Sequence, residues 1–221
     1  TSEYGEINAV NNKYFVTWFN SFGSYKIEIN EKVDPIGKTV EYFFNEESEG
    51  PFKYYKGEYI VDDNGAIILE GNGFAELTVG GTYTGQFKDS LRHGLGEWNI
   101  GDEKFVGEFE FDEEVNGTLY YSNGDVYSGN FLNGFKHGSG EYKFALSGER
   151  YVGTFYKGYY HGIGTYYYKN LAKYEGEYLN GKMYGEGVYY YQPGSDFKLF
   201  LGTYKNDKPV EGTYILSNDK P

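Results

Sequence analysis

The residues best equipped for acid–base or metal chemistry are three histidines, His93, His137 and His161, in a chain that holds no cysteine. Each stands directly before the first glycine of a Gly-x-Gly, in RHGLG, KHGSG and YHGIG. Imidazole is a common metal ligand and proton shuttle, but zinc needs its nitrogens about 2.1 Å away. If the three occupy one place in a repeated two-strand unit, His137 and His161 stand about 9–10 Å apart and His93 about 19 Å from His137. They cannot share an ion at that spacing. The expected role is a recurring loop residue whose imidazole hydrogen-bonds a neighbouring loop or strand end. G-x-S-x-G, P-loop and H-E-x-x-H patterns are absent. GLGEWNIG (94–101) imitates a dinucleotide fingerprint without its strand–turn–helix setting. The pairs Asp62-Asp63 and Glu113-Glu114 fall in polar loops, with nothing apolar around them to shift a carboxyl. Asn116-Gly117-Thr118 matches a glycosylation sequon, read as accidental because no secretion signal opens the chain. No catalytic, cofactor-binding or metal-binding residue is assigned, and the expectation is a protein that is not an enzyme.

What positions these residues is a repeat. The 221 residues include 27 Tyr, 17 Phe and 33 Gly, a composition suited to short strands and tight turns rather than long helices. Aromatic-x-Gly-x-aromatic recurs at Tyr55-Gly57-Tyr59, Tyr83-Gly85-Phe87, Phe105-Gly107-Phe109, Tyr127-Gly129-Phe131, Tyr151-Gly153-Phe155, Tyr174-Gly176-Tyr178 and Phe200-Gly202-Tyr204. A Gly-x-Gly follows most copies: Gly71-Gly73, Gly94-Gly96-Trp98, Gly138-Gly140-Tyr142, Gly162-Gly164-Tyr166 and Gly185-Gly187-Tyr189. Both patterns have period two, the signature of strands. Between them lie KDSLRHG, LNGFKHG, YKGYYHG and LNGKMYG, read as loops of about six residues. Each unit is then a β-hairpin, with a ring on one strand covering the bare backbone of a glycine on its neighbour. One hairpin cannot bury its rings but a stack can. The expected fold is all-β: an elongated, twisted, single-layer antiparallel solenoid of stacked hairpins.

The N-terminal part is less regular. Residues 25–40 read as a degenerate unit in which Tyr25, Ile27 and Ile29 take the places of aromatic, Gly and aromatic. Segments 3–10 and 14–20 flank Asn11-Asn12 as a capping hairpin, and NEESEGP (45–51) is a polar break. The domain reading is degenerate hairpins over 1–54 and the regular array over 55–221. The chain opens on Thr1 rather than Met, and a piece of a longer protein is expected.

The units YTGQFKDSLRHGLGEW, YSGNFLNGFKHGSGEY and YVGTFYKGYYHGIGTYYY resemble the MORN repeat, with seven recognisable copies over about 55–214 and the degenerate one near 25–48. The copy from Phe105 lacks His-Gly-x-Gly, and the copy from Tyr174 has Tyr184 in place of the histidine. The resemblance implies an extended sheet of hairpins without chemistry of its own. It implies partner binding, scaffolding and dimerisation in cytoskeletal, ciliary or membrane-contact settings, and in accessory regions of some lipid kinases and a histone methyltransferase.

The formal charge is -13. Residues 1–82 carry 6 Lys and Arg against 14 Asp and Glu, and residues 83–221 carry 14 against 19. Without a basic stripe, nucleic acid is excluded and anionic phospholipid disfavoured. A protein partner with basic residues fits better. Runs such as Tyr166-Tyr167-Tyr168 and Tyr189-Tyr190-Tyr191 put rings on both faces of a single-layer sheet, and Tyr167 and Tyr190 have no obvious structural partner there. Exposed aromatics mark binding surfaces, so Tyr142, Tyr166, Tyr167, Tyr189 and Tyr190 are the candidate contacts for an extended or helical segment. Two alternatives stand beside this reading. One is a phospholipid module using the loop residues Arg92, Lys136, Lys157 and Lys182. The other is a regulatory array cut from a larger enzyme. An open sheet also ends in an unpaired edge, and a tail-to-tail homodimer through the C-terminal unit is expected. No cofactor is expected, and the location is a cytoplasmic one near cytoskeletal, ciliary or membrane-proximal structures.

Overall fold

The computed structural model describes residues 4–10, 13–20, 23–29, 39–44, 51–63 and 67–217, the first three segments through their backbone alone. The chain divides into two compact units, Thr1–Glu113 and Glu114–Pro221. In the first, the strands are β1 (Tyr4–Val10), β2 (Lys13–Asn20), β3 (Gly23–Ile29), β4 (Thr39–Phe44), β5 (Phe52–Val61), β6 (Ile67–Leu77), β7 (Thr82–Lys88), β8 (Leu91–Ile100) and β9 (Glu103–Glu110). β10 (Glu113–Tyr120) opens the second. It is followed by β11 (Val126–Leu132), β12 (Phe135–Lys143), β13 (Arg150–Tyr156), β14 (Tyr159–Tyr167), β15 (Lys173–Leu179), β16 (Lys182–Tyr190), β17 (Phe197–Lys205) and β18 (Lys208–Leu216). Every regular element among the described residues is a strand. In each unit successive strands pair antiparallel in chain order, forming an open sheet of hairpins. Extensive contact between elements is confined to ladder neighbours, so each sheet is a single layer.

The register runs through the glycines. Gly57 pairs Gly73, which pairs Gly85, then Gly96, then Gly107. In the second unit the same line passes through Gly117, Gly129, Gly140, Gly153, Gly164, Gly176, Gly187, Gly202 and Gly212. Tyr55, Tyr83, Tyr127, Tyr151 and Tyr174, all fully buried, lie along this track. A Cβ on Gly164 would run into the Tyr151 ring and hydroxyl, and one on Gly153 into that hydroxyl and the facing backbone of Ile163 and Gly164. The two glycines of Gly-x-Gly therefore serve different needs. Gly164 leaves room for a ring, whereas Gly162 has φ +60° beside the bulge between Gly153 and Phe155. Each tyrosine hydroxyl then donates to the carbonyl three residues on: Tyr83 to Gln86 at 2.9 Å, Tyr127 to Asn130 at 2.8 Å and Tyr151 to Thr154 at 2.9 Å.

The second aromatic of each motif locks the stack. Phe155 meets Tyr151 of its own strand edge-on at 5.2 Å and Tyr127 of the preceding unit at 5.0 Å. Tyr178 does the same with Tyr174 at 5.3 Å and Tyr151 at 5.1 Å. Such pairs add about 0.5–1.5 kcal/mol each beyond the area they bury.

The expected six-residue loops are not found. Turns have two residues, both at positive φ: Asp89-Ser90, Asn133-Gly134, Lys157-Gly158, Asn180-Gly181 and Asn206-Asp207. This backbone matches the twist of tight hairpins, and the remaining "loop" residues continue the strands. The N-terminal capping hairpin exists as the β1–β2 pair, with its turn at Asn11-Asn12 outside the described residues. The degenerate unit is the β3–β4 pair, where Ile27 opposite Val40 stands in place of two glycines. The expected break at 45–51 lies outside the described residues except for Pro51.

Candidate partner-binding surface

Alternation assigns each candidate tyrosine to a face. Tyr142, Tyr166 and Tyr189 share the glycine face with the buried tyrosines, pairing with Tyr151, Tyr151 and Tyr174 respectively. Tyr167 and Tyr190 point to the reverse face. On the glycine face the three do not stand alone. A half-exposed ribbon of rings runs from Tyr121 to Tyr142 at 5.7 Å, to Phe144 at 4.8 Å and to Tyr166 at 6.0 Å. It continues to Tyr168 at 4.7 Å, Tyr189 at 5.6 Å, Tyr191 at 5.0 Å and Phe197 at 5.9 Å. Phe144, Tyr168, Tyr191 and Phe197 were not singled out from sequence. Extending the period of two by one step beyond Tyr142, Tyr166 and Tyr189 would have found the first three.

The ribbon is fixed by carboxylates. Asp125, 8% exposed, accepts from the Tyr142 hydroxyl at 2.8 Å, the Ala145 amide at 2.8 Å and the Asn123 side chain at 3.0 Å. Burial alone would raise its carboxyl. The Ala145, Tyr142 and Asn123 hydrogen bonds and the Lys136 cation outweigh burial and hold it below the usual range. Glu149 accepts from Tyr166 at 2.8 Å in the next repeat. Burial raises the Tyr142 and Tyr166 hydroxyls above their ordinary value, and the neighbouring carboxylates raise them further. Burial likewise pushes Tyr168 up to about 12. The ribbon is thus uncharged at neutral pH, and two of its hydroxyls are already committed as donors. The ring over Gly164 belongs to Tyr151 on the neighbouring strand, in keeping with the expectation that a ring of one strand covers a glycine of the next.

The reverse face corrects a second expectation. Tyr167 and Tyr190 do have structural partners. The Arg150 guanidinium lies 3.7 Å from the Tyr167 ring centroid and Lys173 Nζ lies 4.3 Å from that of Tyr190. Glu141 anchors Arg150 at 3.1 Å and Lys143 at 2.9 Å, and Glu175 anchors Lys173 at 2.5 Å. Neighbouring strands thus set cations over rings, worth about 0.5–1 kcal/mol each at exposed sites.

The four basic residues expected in loops also move. Arg92, Lys136 and Lys182 are strand residues, and only Lys157 lies in a turn. Arg92 sits 5.2 Å from the Phe109 ring and pairs with Asp112 at 3.0 Å. Lys136 sits 4.4 Å from the Tyr142 ring, with burial lowering its pKa and Asp125 opposing that shift. Two of the four are therefore turned onto aromatic rings of the glycine face rather than along a basic edge.

The histidines are strand residues too. His137 and His161 flank the Tyr156 ring, each 5.4 Å from it, and His93 meets Phe111 at 5.0 Å. Nδ1 of His93 and of His161 is buried without a hydrogen-bond partner, so ring contacts replace the expected hydrogen bonds. Among the described residues no group of three His, Cys, Asp or Glu is placed to hold a metal ion.

The repeating element in this geometry is a buried aromatic ring, tyrosine in most copies and Phe105 and Phe200 in the others, beside paired glycines, with a second aromatic two residues beyond the first glycine. The family model for the MORN repeat matches that element five times, at residues 83–99, 105–126, 127–145, 151–172 and 174–196. The chain carries MORN repeats. The comparison with curated proteins finds no match. The MORN segments include β7 to β16, and the 105–126 match covers the copy without His-Gly-x-Gly. The aromatic ribbon begins at Tyr121 near the end of the 105–126 match, runs through the last three matched repeats and reaches Phe197 just beyond them.

Proposed function

We propose that this MORN array is a non-catalytic scaffold that binds an extended or helical protein segment on the aromatic ribbon of its second unit. The observation that carries the reading is the continuous row of half-exposed rings from Tyr121 to Phe197, held rigid by Asp125 and Glu149, with no second layer over it among the described residues. Rigid aromatic rows lose little entropy on binding and recur at interaction hot spots. The family resemblance favours a cytoskeletal, ciliary or membrane-associated assembly in the cytoplasm, and homodimerisation through β18, whose residues are all exposed, belongs to the same proposal. The phospholipid reading is weakened by the burial of Lys136 and the pairing of Arg92. A regulatory array within a larger enzyme would use the same surface. The test is proximity crosslinking from a photoreactive residue at Tyr168 or at Tyr120 in the full chain, with Tyr189→Ala as competitor variant and folding checked by circular dichroism. Partner crosslinks from Tyr168, absent from Tyr120 and weakened by Tyr189→Ala, are expected. Crosslinks indifferent to the Tyr189 substitution overturn the assignment of the face.

A further inference from the structure

Twice in this chain the hairpin repeat sets one of its own cations on its rings. Arg92, in β8, pairs across the hairpin with Phe87 and so shares the glycine face. Its guanidinium lies 5.9 Å from the Tyr83 ring and 5.2 Å from that of Phe109, and those two rings meet edge-on at 5.2 Å. Asp112, in the turn between β9 and β10, reaches back to it. The Asp112 carboxylate accepts from the Arg92 amide at 2.9 Å and from Nε at 3.0 Å, and the Asp112 amide donates to the Arg92 carbonyl at 2.9 Å. Lys136 fills the same place in β12, opposite Phe131, with Nζ 4.4 Å from the Tyr142 ring and 5.4 Å from that of Tyr121.

The copy in β16 keeps this arrangement without the cation. Met183 stands there, opposite Tyr178. Asp207, in the turn between β17 and β18, reaches back as Asp112 does: its carboxylate accepts from the Met183 amide at 2.9 Å and its amide donates to the Met183 carbonyl at 3.2 Å. Tyr174 and Tyr204 meet edge-on at 4.9 Å, as Tyr83 and Phe109 do. The ribbon rings that correspond to Tyr121 and Tyr142 are Tyr168 and Tyr189, half-exposed and 5.6 Å apart. Burial foremost, then Tyr189, Asp207 and Glu149, raises the Tyr168 hydroxyl, so the Asp207 carboxylate stands near that ring. Among the described residues no cation pairs with Asp207 and none lies over Tyr168 or Tyr189. Residues 114–221 hold 11 Lys and Arg against 11 Asp and Glu. The second unit therefore has no net charge to attract a basic partner, and the preference for a cation at Asp207 is local. A cation brought by a partner would pair with Asp207 as Arg92 pairs with Asp112, and rest on ribbon rings as Lys136 does.

We propose that the aromatic ribbon anchors its partner segment through one arginine or lysine, which lies over Met183 against Tyr168 and Tyr189 and pairs with Asp207. This rests on the ribbon being the binding surface, and adds which side chain that surface selects and where.

The test uses the full chain and two capped, fluorescently labelled peptides followed by anisotropy: Val-Pro-Leu-Arg-Leu-Pro-Val, and the same peptide with citrulline, which keeps the shape of arginine without its charge. The arginine peptide is expected to bind about tenfold more tightly. Asp207→Asn keeps an acceptor for the Met183 amide and suits the φ of +66° at that position. It should remove the arginine preference and leave the citrulline peptide unmoved. Met183→Arg restores from within the chain the arrangement that Arg92 makes, and should remove the preference by occupying the site. Tyr189→Ala should weaken both peptides. Circular dichroism checks that each variant is folded. Equal affinity for the two peptides, or an arginine preference that survives both Asp207→Asn and Met183→Arg, overturns the proposal. If Tyr189→Ala still weakens both peptides in that case, the ribbon stands as the binding surface without this anchor. Binding indifferent to Tyr189→Ala, or no binding of either peptide, overturns the ribbon reading and this inference with it.

Discussion

Replacing Gly164 by alanine should be among the most damaging small changes available to this chain. In an ordinary strand the substitution helps by about 0.5–1 kcal/mol, because alanine loses less backbone freedom on folding. Here the new Cβ would lie under 3.0 Å from three atoms of the Tyr151 ring and hydroxyl. The ring has nowhere to go. It is fully buried, stacked on Tyr160 at 3.8 Å, and met edge-on by Phe155 at 5.2 Å and Tyr178 at 5.1 Å. Overpacking of this kind costs about 1–3 kcal/mol. Displacing the hydroxyl from the Thr154 carbonyl costs about 1 kcal/mol more, and loosening two or more ring pairs about another. The net expectation is a loss of about 3 kcal/mol in urea-unfolding free energy. Gly158→Ala is the control: nothing lies within 4 Å of its Cβ, and its φ of +87° alone sets the cost, at about 1–2 kcal/mol. A double-mutant cycle with Tyr151→Leu separates the two, since removing the ring should recover most of the Gly164→Ala loss but none of the Gly158→Ala loss. Equal losses at the two glycines, or no coupling between Gly164 and Tyr151, would refute the view that the repeated space on this track is reserved for a ring.

Two further outcomes depend on pH. Burial foremost holds the Tyr83, Tyr168 and Tyr174 hydroxyls at about 12, above the unfolded value near 10. Their contribution to stability is complete below pH about 10 and is lost as pH rises toward 12. Tyrosinate absorbance should therefore appear together with loss of the β-sheet dichroism in that window, and ionisation of most tyrosines near pH 10 without unfolding would contradict it. Asp125→Asn should destabilise by about 1–3 kcal/mol at pH 7 by weakening the charge-assisted bonds from Tyr142 and Ala145. Because the folded carboxyl lies below its ordinary value, that advantage exists above pH about 4 and fades below it. Urea titrations of both proteins should converge in acid, and a gap independent of pH would show that charge plays no part.

Much of this fold could be read from spacing alone, because the residues that set it repeat in a line. Tyr151-Gly153-Phe155 and Gly162-Gly164-Tyr166 announce strands, their shared face and their pairing. Asn133-Gly134 and Asn180-Gly181 carry the dipeptide that favours two-residue hairpin turns, whereas Asp89-Ser90 and Asn206-Asp207 adopt positive φ without glycine and so hid the turn length in their hairpins. That single misjudgement moved the histidines, Arg92 and Lys136 from loops into strands. The reverse-face partners of Tyr167 and Tyr190 depend on register across a hairpin, which places Arg150 opposite Tyr167 and Lys173 opposite Tyr190. The carboxylate behind Tyr142 lies 17 residues away, and only the folded ladder joins them. The first unit also holds a cavity of about 220 Å³ that has no sequence signature, because its walls come from four strands, two turns and Pro51.

The line of paired glycines also bears on how such a chain can change in length. Glycine meets glycine at every junction from Gly117 to Gly212, and each strand rests mainly on its immediate neighbours. Excising Tyr151 through Lys173 would set Tyr174 opposite Tyr142 and Gly176 opposite Gly140, the very pairing that Tyr151 and Gly153 now make. A duplicated or lost segment of that size finds its neighbours ready-made. Inheritance can therefore lengthen or shorten the array by whole repeats while the interior stays as it was, and differences between repeats, such as Glu149 where its predecessor has Asp125, are left free to diverge for recognition.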